Sequence, residues 1–133
     1  MKRLVLFGLV LTLVLTMAVG CTTDEAKYKD GTFKADGEMD ERGWTPVVEV
    51  VVENGEIVSV DYDEYNEAGE LKSEDDEYAE SMKSVSGVSP AEAYKQLEDA
   101  LVKRQDVDQV DAVSGATTSS EQFKELVKEA LNK

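Results

Sequence analysis

The stretch Asp111-Ala112-Val113-Ser114-Gly115-Ala116-Thr117-Thr118-Ser119-Ser120 holds the residues of this chain best suited to chemistry. A short apolar run (Val110, Ala112, Val113) leads into a turn of small residues. Four hydroxyls follow, and an amphipathic helical pattern then opens. The first turn of a helix has unpaired backbone N–H groups at the positive end of the dipole, so hydroxyls there stand where a phosphate binds. The same residues have a purely structural use. Ser and Thr cap helices, and Ser119 with Gln122 three positions on makes an acceptable capping box.

The rest of the composition excludes most other chemistry. The 133 residues contain no histidine and a single cysteine, Cys21. That removes the commonest general base, any Ser-His or Cys-His pair, an intramolecular disulfide and iron–sulfur ligation. No Gly-rich dinucleotide fingerprint follows a strand. Catalysis in such a chain rests on a cofactor. Asp61, Asp63, Glu64 and Asn66 lack the glycine and distal glutamate of a calcium loop and read as outward strand positions and a solvated loop, so no metal is assigned.

The elements that must position the hydroxyl stretch are read from periodicity. Tyr28 to Gly37 is a first strand with Phe33 and Ala35 on one face. Glu38 to Thr45 is a charged loop ending in Gly43-Trp44, whose tryptophan plugs the core edge or stacks on a flat ligand. Val48, Val50 and Val52 alternate before Asn54-Gly55, and Val58, Val60 and Tyr62 alternate after it. Parity favours a three-residue loop, Glu53 to Gly55, pairing Val50 with Val58 and Val48 with Val60. A helix from Ser73 to about Ser84 carries the stripe Tyr78, Met82, Val85 and ends at Gly87. Ser89-Pro90-Ala91-Glu92 opens a second helix reaching about Lys103, with Tyr94, Leu97 and Leu101 inward. A last strand, Gln109 to Val113, leads through the turn into a final helix, Ser120 to Leu131, burying Phe123, Leu126, Val127, Ala130 and Leu131. Strands first and helices after describe one α+β domain: an antiparallel sheet with helices on one side.

The N-terminus reads as export machinery. Lys2 and Arg3 precede an apolar core, Leu4 to Val14, and Ala18-Val19-Gly20 precedes Cys21, the position at which a lipoprotein signal peptide is cut and the cysteine acylated. Ordinary secretion with a free thiol is the alternative. Residues 1–20 form the signal peptide, 21–27 a flexible tether and 28–133 the domain. Cleavage takes two of the 14 basic residues, Lys2 and Arg3, and none of the 29 acidic ones, so the net charge moves from −15 to −17. Such a surface repels nucleic acid.

Asp111-x-x-Ser114-Gly115-Ala116-Thr117 resembles the flavinylation motif of FMN-binding domains, of the small bacterial surface lipoprotein type. Asp40 to Trp44 and Ser86 to Pro90 share that likeness. The resemblance implies FMN joined by a phosphoester to Thr117, installed by a flavin transferase that uses FAD and magnesium. Adjacent Thr118 is chemically identical, and only the family pattern prefers Thr117. Asp111 then orients the transferase or a magnesium ion, or satisfies turn N–H groups. Ser114, Gly115 and Ala116 shape the turn, and Trp44, Tyr78 and Met82 are the candidates for flavin-ring contacts. The function implied is a membrane-anchored extracytoplasmic electron carrier, fed by a membrane quinol-linked donor and emptied by an external acceptor. Two readings compete with it: a lipid-anchored small-molecule-binding or surface interaction module without covalent flavin, and a reductase with its own substrate.

Overall fold

The structure, a computed structural model, describes residues 26–132. The signal segment and Cys21 lie outside the described residues. Three antiparallel strands, β1 (Gly31–Asp36), β2 (Thr45–Glu53) and β3 (Glu56–Tyr65), form a sheet in that order. Three helices follow: α1 (Asp76–Ser86), α2 (Pro90–Arg104) and α3 (Thr117–Leu131). The helices cover one face of the sheet. Ala35, Val48, Val50, Val52, Ile57, Val60 and Tyr62 from the strands are buried against Tyr94, Leu97, Leu101, Phe123, Leu126 and Val127 from α2 and α3. Tyr62 centres this core, with Tyr94 and Phe123 edge-on to its ring at 4.9 and 5.5 Å. The expected α+β architecture is the observed one.

The hairpin register differs from expectation. Asn54 and Gly55 both have positive φ (53° and 77°), and Glu53 pairs with Glu56, so the loop has two residues, not three. Asn-Gly suits this tight left-handed turn. Parity is repaired further along, where the register shifts between Val51 and Val52: Val52 faces Ile57, Val51 faces Ser59 and Val50 faces Val60. Val58 is the extra residue of a bulge and is 45% exposed, while Ile57 takes the inward place expected of it. The bulge is held from α2, because the Gln105 side chain accepts the Ile57 N–H (2.8 Å) and donates to the Ile57 carbonyl (2.8 Å). Glu98 likewise accepts the Tyr62 N–H at 2.8 Å, so one side chain of α2 and that of its C-cap, Gln105, satisfy backbone groups along the outer edge of β3.

Four other expectations are corrected. Gln109 to Val113 forms no strand. Val107–Gln109 is a 3₁₀ turn, and Val110 and Val113 are buried without a ladder partner. Helix α1 has no buried residue: Val85 is 85% exposed, and Tyr78 and Met82 are half-buried. The helix begins at Asp76, with Asp75 capping the Tyr78 N–H at 2.9 Å, after a separate 3₁₀ turn, Lys72–Glu74. Lys27, expected in the tether, is fastened to the fold by an ion pair with Asp106 at 3.0 Å.

A pocket at the start of the last helix

The turn before α3 is built from small residues for identifiable reasons. The Ala116 N–H donates to the Val113 carbonyl at 2.9 Å, and Gly115 has φ of +86°, the third-position geometry of a type II turn. A side chain at Gly115 is excluded twice, since a Cβ there would lie 2.5 Å from the Ser86 carbonyl oxygen at the end of α1. Ser120 locks the turn from beneath. Its buried Oγ accepts the Val113 N–H (2.9 Å) and donates to the Ala116 carbonyl (2.7 Å).

Helix α3 starts three residues earlier than its periodicity suggested, at Thr117, with Ala116 as N-cap and no side-chain cap. The Ser119–Gln122 capping box is not formed. Ser119 instead donates its hydroxyl to Glu64 at 3.1 Å. Thr117 and Thr118 are exposed in the first helical turn, where the N–H groups of Thr117, Thr118 and Ser119 have no intrahelical carbonyl to meet. The hydroxyls thus gather at an uncapped helix N-terminus without serving as its cap.

That N-terminus opens into a cavity of about 360 Å³. Gly115, Ala116, Thr117, Thr118 and Ser119 form one wall, and Tyr78, Met82 and Ser86 of α1 another; Asp40, Glu41 and Arg42 stand at one side, with Glu64 and Lys72 completing the lining. Of the expected site residues, Thr117, Thr118, Gly115, Ala116, Tyr78 and Met82 come together here. Asp111 and Ser114 are exposed and outside the lining. Trp44 is also outside it, buried behind Tyr78 with ring centroids 6.0 Å apart.

Sequence reasoning missed Glu64, Lys72 and Arg42. Glu64 is only 1% exposed, not an outward strand position. Both its oxygens lie 3.4 Å from the Lys72 ammonium, and one accepts the Tyr94 and Ser119 hydroxyls. Burial first, and then the Glu64 charge, push the Tyr94 phenol far above its ordinary range, which keeps it a proton donor. The Lys72 ammonium also lies over the Tyr78 and Trp44 rings, 4.7 and 5.5 Å from their centroids. Parity was the available signal, because Glu64 continues the inward series Val60, Tyr62. Arg42 is set by its loop. Asp40 accepts the N–H groups of Arg42 (2.9 Å) and Trp44 (3.0 Å), and the Arg42 guanidinium reaches the Tyr78 hydroxyl at 3.5 Å.

Comparison with known proteins decides the family. Residues 43–132 match the FMN-binding domain. The chain belongs to the FMN-binding domain family. Within it, the chain is 39% identical over 98 residues to the 15 kDa lipoprotein of Treponema pallidum, covering 73% of this chain and 70% of that one. The crystal structure of the CPE2226 protein from Clostridium perfringens superposes with a TM-score of 0.76 at 38% identity, over 79% of this chain and 87% of that one. A solution structure from Clostridium thermocellum gives a TM-score of 0.51 at 31% identity, over 78% and 90% of the two chains.

The FMN-binding family has flavin as its ligand, and the pocket has the donor set for it. The uncapped N-terminus of α3 supplies backbone N–H groups for a phosphate. Tyr78 and Met82 offer an aromatic and a thioether surface for a flat ring. The cavity volume falls in the range of small-molecule sites.

Proposed function

We propose that this protein is a membrane-anchored, extracytoplasmic electron carrier whose FMN is joined by a phosphoester to Thr117. The observation that carries the reading is the exposed Thr117 hydroxyl in the first turn of an uncapped helix, facing a cavity of flavin-compatible size. Bound FMN supplies one- and two-electron transfer, which no side chain of this histidine-free chain provides. The chain's own residues do the holding. Helix N–H groups meet the phosphate, Gly115 keeps the turn close under α1, and Tyr78 with Met82 shields one side of the ring from water.

A covalent bond suits an extracytoplasmic carrier, because a dissociating flavin would be lost by dilution. The signal-like segment ending at Cys21 and the similarity to a treponemal lipoprotein support lipid anchoring. A flavin transferase using FAD and magnesium is the partner that installs the group. A quinol-linked membrane donor and an external acceptor are the redox partners, and the acidic surface favours cationic docking faces. The test is colour and redox activity after expression with a transferase. Flavin retained through denaturation in the wild type and absent from Thr117→Ala supports the reading. Flavin released on denaturation makes the protein a non-covalent binding module instead.

A further inference from the structure

The buried ion pair beneath the flavin pocket has no structural necessity that the fold makes evident. Glu64 closes the inward series of β3 at a place where an apolar residue would continue the core, and Lys72 comes from a 3₁₀ turn that could present its ammonium to water. Both side chains are instead taken out of solvent, to 1% and 7% exposure, at the cost of desolvation. Both line the same cavity as Thr117.

The pair is also asymmetric. Glu64 is held from the protein side by the Tyr94 and Ser119 hydroxyls as well as by Lys72. Among the described residues, Lys72 meets one carboxylate, at a loose 3.4 Å, and two aromatic faces. The carboxylate is therefore fixed, and its strength as a counter-charge sets how much positive potential Lys72 exerts in the cavity. The other lining charges, Asp40, Glu41 and Arg42, are in the exposed or half-exposed loop and are screened by water.

We infer that Glu64 and Lys72 are positioning residues that set the reduction potential of a flavin held in this pocket, Lys72 favouring the reduced form and Glu64 moderating it. A flavin gains negative charge when it takes up two electrons and one proton at neutral pH, so a nearby buried cation stabilises the reduced form relative to the oxidised one. The inference rests on flavin occupying the pocket and not on the covalent bond to Thr117.

The experiment compares wild type, Glu64→Gln, Lys72→Met and the double variant. Each is titrated with free FMN, oxidised or reduced with dithionite, and the loaded proteins are titrated spectroelectrochemically. Glu64→Gln is near-isosteric and keeps an acceptor for Tyr94 and Ser119. It is expected to raise the affinity for reduced over oxidised FMN by about tenfold, which for a two-electron couple moves the midpoint up by about 30 mV. Lys72→Met is expected to move both in the opposite direction, and the double variant to return toward wild type. Lys72→Gln replaces Lys72→Met if circular dichroism shows that the latter does not fold. Folded, flavin-loaded variants with the wild-type ratio and midpoint overturn the inference. A wild type that takes up no FMN, either free or installed by a flavin transferase, overturns it together with the flavin reading, which a mere failure of the variants to shift does not.

Discussion

The backbone of Gly115 sits directly against the carbonyl of Ser86, so the turn that presents Thr117 and the end of α1 share one contact. A methyl group at Gly115 meets that carbonyl at 2.5 Å and carries a φ of +86°, unfavourable for any L side chain. Gly115→Ala is expected to cost about 1–3 kcal/mol, read as a lower urea midpoint. It also displaces Thr117 from α1, so flavin loading with a transferase falls well below wild type while the helical circular dichroism persists.

Ser120 and Ser119 spend their hydroxyls on hydrogen bonds within the fold, while Thr117 and Thr118 beside them are exposed. Ser120→Ala strips the buried Val113 N–H of its acceptor and is expected to destabilise by about 1–3 kcal/mol in a denaturant titration. Thr118→Ala touches an exposed residue and leaves stability within about 0.5 kcal/mol of wild type.

The Glu64–Lys72 pair predicts strong coupling in the flavin-free protein. Lys72→Met leaves a buried carboxylate without its cation and is expected to cost about 3–5 kcal/mol. Glu64→Gln together with Lys72→Met costs far less than the two single changes added. Additive losses in the denaturation midpoints would show that the two side chains act independently.

Glu98 predicts a pH effect of defined sign. Burial, above all, and the charges of Asp61 and Asp99 raise its carboxyl pKa, against the lowering effect of the Tyr62 N–H and Lys95. A raised carboxyl is easier to fold protonated, so its penalty is absent below the ordinary glutamate value and grows as pH rises through the raised one. Glu98→Gln keeps an acceptor for the Tyr62 N–H. It is expected to be more stable than wild type at pH 7 and equal to it near pH 3, measured by thermal melting at both values.

Tyr62 carries a buried hydroxyl with no hydrogen-bond partner among the described residues. Its ring stacks edge-on against Tyr94 and Phe123, and phenylalanine preserves both contacts. Tyr62→Phe is therefore expected to raise stability by about 1 kcal/mol, and a lower melting temperature would show that the hydroxyl is satisfied in solution.

What was legible in the sequence was local. Ser89, Pro90 and Glu92 announce the start of α2, and the full capping box forms there. The 3.6-residue pattern of α3 gives Phe123, Leu126, Val127 and Ala130 of its buried face, while Leu131, expected with them, is half-buried at the last turn. The hairpin register was not legible, because its bulge depends on Gln105, 48 residues from Ile57. The strand expected at Gln109 to Val113 had the right apolar residues but no sheet edge to join. Val85 follows the α1 stripe in sequence, yet the inner face of that helix lines a cavity and not a core. At the site, Thr117 and Gly115 could be read from a motif. Glu64 and Lys72 could not, since their roles come from tertiary contacts with Ser119, Tyr94 and Trp44.

The most direct measurement is the intact mass of residues 22–133 expressed with and without a flavin transferase, followed by peptide mapping of wild type, Thr117→Ala and Thr118→Ala. The account predicts a gain of FMN less one water on the peptide holding Thr117, kept in Thr118→Ala and lost in Thr117→Ala. No gain beside an active transferase, or a gain that survives Thr117→Ala, would contradict it.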